Sequence, residues 1–107
     1  MKLMTKEIEK KLEKYPMRSQ DGLPAEEKDV ICKFFHPWGN FTWYVLEGEK
    51  LDNGDYEFFG WVTGEFPEYG YFTLSDLESV RVMGLGVERD RYFRPCKLSE
   101  ILSGEVY

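Results

Sequence analysis

The sequence predicts an α+β fold: a small antiparallel sheet of three to five strands, an N-terminal helix, and a short capped helix after the fourth strand. Three observations carry this. The opening MTKEIEKKLEKYP repeats apolar residues at helical spacing, and three runs rich in strand-forming residues fill 30–64. A capping signal then follows GYFT near residue 75. Helix first, then strands joined by tight turns, then a helix again is the ordering of α+β proteins.

Each element has its own local reason. In the first segment Met4, Ile8, Leu12 and Tyr15 fall three or four residues apart, Thr5 is placed to cap, Glu7 lies in the first turn and Pro16 ends the pattern. Its Lys–Glu alternation reads as a solvated face. RSQDGLPAEEKD (18–29) reads as a loop with one short turn after Pro24. VICKFFH (30–36), FTWYVLEGE (41–49) and DYEFFGWVTG (55–64) are predicted strands. Gly39-Asn40 turns the chain between the first two, and Asn53-Gly54 signals a hairpin between the last two. Adjacent pairs such as Trp43-Tyr44, Phe58-Phe59 and Trp61-Val62 break strict alternation, so both faces of the sheet are expected to be covered. Tyr71–Thr73 reads as a fourth strand. Ser75 with Glu78 is expected to form a capping box, with Leu77 and Val80 turned inward. Met83-Gly84-Leu85-Gly86 reads as a turn-forming loop, VERDRYFRP as an extended or turn segment, and KLSEILSG (97–104) as a last helical turn or two.

The chain is 107 residues long, the size of one domain spanning 1–107, and 17% of it is aromatic, so its packing should lean on Phe, Tyr and Trp. Cys32 and Cys96 are its only cysteines. With no apolar leader segment, they predict a cytoplasmic chain with free thiols. No apolar run approaches the length of a membrane span. The net charge is −6, and residues 41–80 hold nine acidic groups against Lys50 alone. Such a segment repels phosphate, which argues against ordinary nucleic-acid binding, and steers a basic protein toward it.

The rare residues of FFHPWGNFTWYV (34–45) invite a catalytic reading that their spacing does not support. On an extended strand Cys32 and His36 would stand about 13 Å apart, beyond the hydrogen bond a thiol–imidazole pair needs. Three soft ligands (Cys32, His36, Cys96) are too few for a zinc site, and no serine elbow, phosphate loop or dinucleotide fingerprint occurs. No catalytic residue, metal or cofactor is therefore assigned. Cys32 is expected in the core, and His36 is expected to order the turn before Pro37 or to pack beside Trp38. Glu47 near Trp43 and Tyr44, and Glu65 with Glu68 near Tyr69 and Tyr71, leave a paired-carboxylate enzyme as a lesser alternative. Arg89 or Arg91 is expected to pair with an acid such as Glu78 or Glu68.

Several short motifs also carry a resemblance. Lys33, Phe35 and Pro37 lead into Thr42-Trp43-Tyr44 and Glu47. Phe59-Gly60 follows, then Glu68-Tyr69-Gly70-Tyr71-Phe72-Thr73-Leu74 with Leu77-Glu78, and Glu88-Arg89-Asp90 with Phe93 and Pro95. Over residues 30–95 this resembles a family of small uncharacterised proteins, a domain of unknown function spread through bacterial plasmids, integrated elements and phages. The resemblance implies a mobile-element setting and assigns no residue a role.

The functional expectation is a non-catalytic module that binds a protein with a basic surface, in its sharper form an inhibitor of a basic nuclease or DNA-binding effector. Its binding surface is expected at Trp38, Glu47, Glu65, Glu68, Tyr69 and Glu78. Trp43, Tyr44, Phe59, Gly60, Gly70, Tyr71, Phe72, Leu77, Glu88, Arg89 and Asp90 are expected to be structural. The alternative is an accessory protein that stacks nucleotides or nucleic acid on Trp38 or Tyr69.

Overall fold

Thr5 starts the first helix as its sequence suggests. In the computed structural model, which describes residues 2–104, its hydroxyl oxygen accepts from the Ile8 N–H at 3.2 Å and α1 runs over Lys6–Leu12. Glu7 and Glu9 occupy its first turn and Lys10 and Lys11 its last, each complementing the helix dipole. Ile8 and Leu12 are its buried face.

The strands follow as β1 (Asp29–Val30), β2 (Cys32–Phe35), β3 (Thr42–Lys50), β4 (Tyr56–Thr63) and β5 (Glu68–Thr73). Then come α2 (Leu74–Ser79), β6 (Glu88–Arg89), β7 (Cys96–Lys97) and α3 (Leu98–Leu102). The α+β class holds: an antiparallel five-stranded sheet has the order β5-β4-β3-β2-β6, with an N-terminal helix and a helix directly after β5. β1 and β7 pair separately, Asp29 opposite Lys97 and Val30 opposite Cys96. The expected strand 30–36 is thus divided at Ile31, whose N–H donates to the Val45 carbonyl at 2.8 Å.

Both sheet faces are covered, which accounts for the adjacent apolar pairs. On the first face Phe34, Val45, Phe58 and Phe72 pack with Ile8 and Leu12 of α1 and Leu77 of α2. On the second, Tyr44 and Leu46 pack with Val30 and Leu98, and Phe59, Trp61 and Phe93 border them. The cross-strand register shifts between Val45, opposite Gly60, and Glu47, opposite Phe59, leaving Leu46 as the extra residue of a β-bulge. The bulge turns Leu46 and Glu47 successively onto the second face. It also explains Gly60, where any Cβ would collide with the Tyr44 carbonyl oxygen.

The turns match their residues. Between β3 and β4 the Gly54 N–H donates to the Leu51 carbonyl at 3.0 Å and the Leu51 N–H to the Asp55 carbonyl at 2.8 Å. Gly54 has φ +88°, the left-handed position of a three-residue hairpin loop. At α2 the expected cap is corrected. Thr73 is the N-cap and Asp76 its reciprocal partner, each bond 3.0–3.1 Å, rather than Ser75 and Glu78. Thr73 ends a strand and so already has the extended backbone a cap requires. Ser75 instead ties α2 to the β3–β4 hairpin, its hydroxyl donating to Asp55 at 2.6 Å.

Candidate binding surface at one end of the sheet

The geometry is set by His36. Its ring is buried, and Nδ1 accepts from the backbone N–H groups of Trp38 at 3.1 Å and Gly39 at 2.9 Å. A nitrogen that accepts carries no proton, so the proton sits on Nε2, which donates to the Leu85 carbonyl at 2.9 Å. One imidazole therefore shapes the β2–β3 turn and holds the loop before β6 against it. Ordering of this turn by His36 was legible in the sequence; the link to Leu85 was not.

The held loop is a tight two-residue turn. Val82 and Leu85 exchange backbone hydrogen bonds of 2.9 Å, and both central residues have positive φ, Met83 at +55° and Gly84 at +78°. This type I′ geometry suits Gly84, whereas Met83 holds it at a cost. The β4–β5 connection reaches the same end of the sheet, because Thr42 opposes Thr63 and the Phe41 ring lies where a Cβ of Gly64 would stand. Phe41 in turn stacks on Trp43 at 5.7 Å.

Three connections thus present apolar side chains at one end. Trp38 is 68% exposed, Phe66 75% and Met83 76%, and Phe41, Val82 and Leu85 are also exposed. Single exposed apolar residues are ordinary; six on three turns at one end of the sheet make that end a candidate contact surface. Glu65 and Glu68 are exposed beside Phe66. Along β5, Tyr69 and the 66%-exposed Tyr71 extend the aromatic character down the sheet edge. Their rings pack on Phe59 at 5.6 and 4.9 Å, and Trp61 meets Tyr69 edge-on at 5.0 Å.

Of the residues expected to form a binding surface, Trp38, Glu65, Glu68 and Tyr69 are exposed at this end and its adjoining edge. Glu78 is exposed on α2, lining a groove with Arg81 and Glu88. Glu47 is corrected: it is buried, and its carboxylate accepts from the backbone N–H groups of Arg18 and Gln20, both at 2.8 Å. The bulge directs it under the 16–22 loop instead of onto the face of Val45, where unbroken alternation would put it. It cannot then form a paired-carboxylate site with the exposed Glu65 and Glu68. Tyr71, expected only as structure, contributes exposed surface as well.

The remaining structural residues divide by face. Trp43, Phe72 and Leu77 belong with the first core; Tyr44 and Phe59 belong with the second; Gly70 lies opposite Gly60 in the ladder. Arg89 of β6 donates to the carbonyls of Lys2 and Leu3 and so ties the N-terminal segment to the sheet edge. Asp90 pairs with Lys33 at 3.6 Å, and Glu88 lies opposite Phe35. Cys32 is buried on the first face, where desolvation pushes its thiol up to about 12, and Cys96 borders the second core. The sheet therefore separates the two sulfurs.

Gln20 is a residue that sequence reasoning missed. Its side-chain amide donates to the carbonyls of Asp29 and Leu46 at 2.9 and 2.8 Å and accepts from the Asp29 N–H at 2.6 Å. It acts as a short substitute strand between β1 and β3. Beyond it, Tyr15 donates to Asp29 at 2.9 Å and Lys97 pairs with the other Asp29 oxygen at 2.7 Å. The Lys97 bond, then that of Tyr15, lowers the Asp29 carboxyl below its ordinary value; the same contacts raise Lys97 and Tyr15. This cluster lies in an open groove of about 680 Å³ between α1 and the β1–β7 pair. Among the described residues no helix is long and apolar enough to cross a membrane.

A family model for a protein of unknown function, DUF2958, matches residues 3–103. The chain belongs to the DUF2958 family. No curated protein and no solved structure matches it. Within this DUF2958 chain the matched span includes every element from α1 to α3, together with the three turns that build the apolar end.

Proposed function

We propose that this DUF2958 protein is a non-catalytic protein-binding module that uses the His36-organised end of its sheet as the contact surface. The observation that carries the reading is the exposure of Trp38, Phe66 and Met83 on three adjacent turns, bordered by Glu65 and Glu68. Buried aromatic and methionine anchors inside a polar rim are the usual anatomy of a protein interface. The acidic rim of Glu65 and Glu68 selects a partner with a basic surface.

The mobile-element setting suggested by the resemblance fits a cytoplasmic inhibitor that occupies the basic groove of a nuclease or DNA-binding effector. Apolar anchors would supply residence time and the acids association rate, so charge changes should act on the on-rate and salt dependence.

The test is affinity purification from the host, with and without phage challenge, using the wild type, Glu65→Lys/Glu68→Lys and Phe66→Ser. The reading expects one defined basic partner that both variants lose. Retention of the same partner by both variants would remove this surface from the interaction. Binding to single-stranded oligonucleotides that weakens steeply with salt would point instead to nucleic acid.

A further inference from the structure

We infer that the outer edge of β5 is a strand-addition site for an extended basic segment of the partner. This rests on the protein-binding reading above and specifies how the partner is held.

β5 is a terminal strand of the sheet, and its pairing with β4 runs without a register shift from Val62–Glu68 to Glu57–Thr73. The direction of its outer groups follows from the ladder. The His36 N–H donates to the Phe41 carbonyl across β2–β3, and the Leu51 N–H to the Asp55 carbonyl across β3–β4. Antiparallel pairs alternate between bonded and non-bonded, so Phe59 and Trp61 turn their backbone groups to β3, and Phe58, Gly60 and Val62 to β5. On β5 the backbone groups of Glu68, Gly70 and Phe72 therefore face β4, and those of Tyr69 and Tyr71 face outward.

Natural sheets protect such edges with lysine, proline, a bulge or a covering element. Between Glu68 and Thr73 there is no lysine or proline and no bulge, and the Tyr71 side chain is exposed. The edge is thus an open template of main-chain donors and acceptors, the feature that strand-addition partners exploit.

The side chains state what would bind. Tyr69 and Tyr71 lie on one face with Phe59 and Trp61, so alternate residues of an added strand there should be apolar or aromatic. Lys28, buried near the Tyr69 ring at 5.9 Å, disfavours a cation on that face. On the opposite face the exposed Glu68 favours Lys or Arg, with Glu65 just beyond. The segment is therefore one alternating apolar and basic residues. A second copy of this chain is a poor occupant, because each copy brings a net charge of −6 and the same acidic strand.

The test selects random-sequence peptides by display against the whole chain. The winners are then measured on wild type and Tyr71→Pro, and as versions N-methylated at alternate residues. Proline at Tyr71 removes an outward N–H and no bond to β4, so the fold should persist; if that variant fails to fold, the N-methylated peptides still decide. Expected are peptides alternating apolar with Lys or Arg, weakened roughly tenfold or more by either change, with slowed exchange of the Tyr69 and Tyr71 amides. Enrichment of acidic peptides or of none would overturn the inference. So would equal binding to Tyr71→Pro and tolerance of N-methylation; if Glu65→Lys/Glu68→Lys still abolished binding, the protein-binding reading would survive without strand addition. A dimer of the chain alone that Tyr71→Pro dissolves would assign the edge to a second copy and overturn it too.

Discussion

His36 donates from Nε2 to the carbonyl of Leu85 at 2.9 Å, joining two turns separated by 49 residues in sequence. Because its other nitrogen accepts from Trp38 and Gly39, one buried side chain fixes both the position of Trp38 and the loop that displays Met83. Fold and proposed surface meet in this residue.

Removing it should loosen both turns at once. His36→Ala removes a buried imidazole together with its three hydrogen bonds to the backbone of Trp38, Gly39 and Leu85, and should cost about 2–4 kcal/mol in urea denaturation. Trp38 fluorescence should change before global unfolding, since its turn loses its support. An unchanged Trp38 signal with full stability would mean that the turn forms without the imidazole.

Met83 poses the opposite case. A non-glycine residue at φ +55° is strained, and its exposed side chain gains nothing from packing. Met83→Gly should stabilise the chain by about 0.5 kcal/mol while weakening partner binding, a trade of stability against function. A variant both less stable and equally good at binding would show the methionine to be structural.

The buried carboxylate of Glu47 anchors the 16–22 loop through the N–H groups of Arg18 and Gln20. Glu47→Ala should cost about 2–4 kcal/mol and Glu47→Gln about 1–2, because the amide keeps one acceptor oxygen. Hydrogen exchange should quicken first at Arg18 and Gln20. Neither change should alter the charge rim formed by Glu65 and Glu68.

The Asp29 cluster makes stability depend on pH at both extremes. Asp29 is lowered in the folded state, so its contribution is full above its ordinary value of about 3.9 and fades as pH falls through the folded value. Lys97 and Tyr15 are raised, so their contributions are full below their ordinary values of about 10 and fade as pH rises through the folded ones. Asp29→Asn should flatten both limbs of the melting temperature against pH. An acid limb identical to wild type would place the acid sensitivity elsewhere.

How much of this was legible in the sequence depends on how local each signal is. Thr5, the helical spacing of Ile8 and Leu12, and Asn53-Gly54 act within a few residues, and they placed α1 and the central hairpin correctly. The cap of α2 slipped from Thr73 to Ser75 because two overlapping motifs fit the same stretch and only the strand end chooses between them. The β1–β7 pair joins Asp29 to Lys97 through strands of two residues each, too short to leave a periodic pattern. Glu47 read as surface because a bulge cannot be seen in residue types, and the bulge reverses which way it faces. Trp38 was legible as a rare residue at a turn. Phe66 and Met83 were not, since a turn sequence says nothing about which neighbouring turns the sheet brings together.

The most direct measurement of the central claim is partner capture by the wild type, a Trp38→Ser/Phe66→Ser variant, and a Glu7→Lys control on the exposed face of α1. All three should fold with the same circular dichroism spectrum. If the His36-organised end is the contact surface, one basic partner binds the wild type and the control and is lost from the Trp38→Ser/Phe66→Ser variant. A partner that leaves with the α1 change and stays with Trp38→Ser/Phe66→Ser would contradict it.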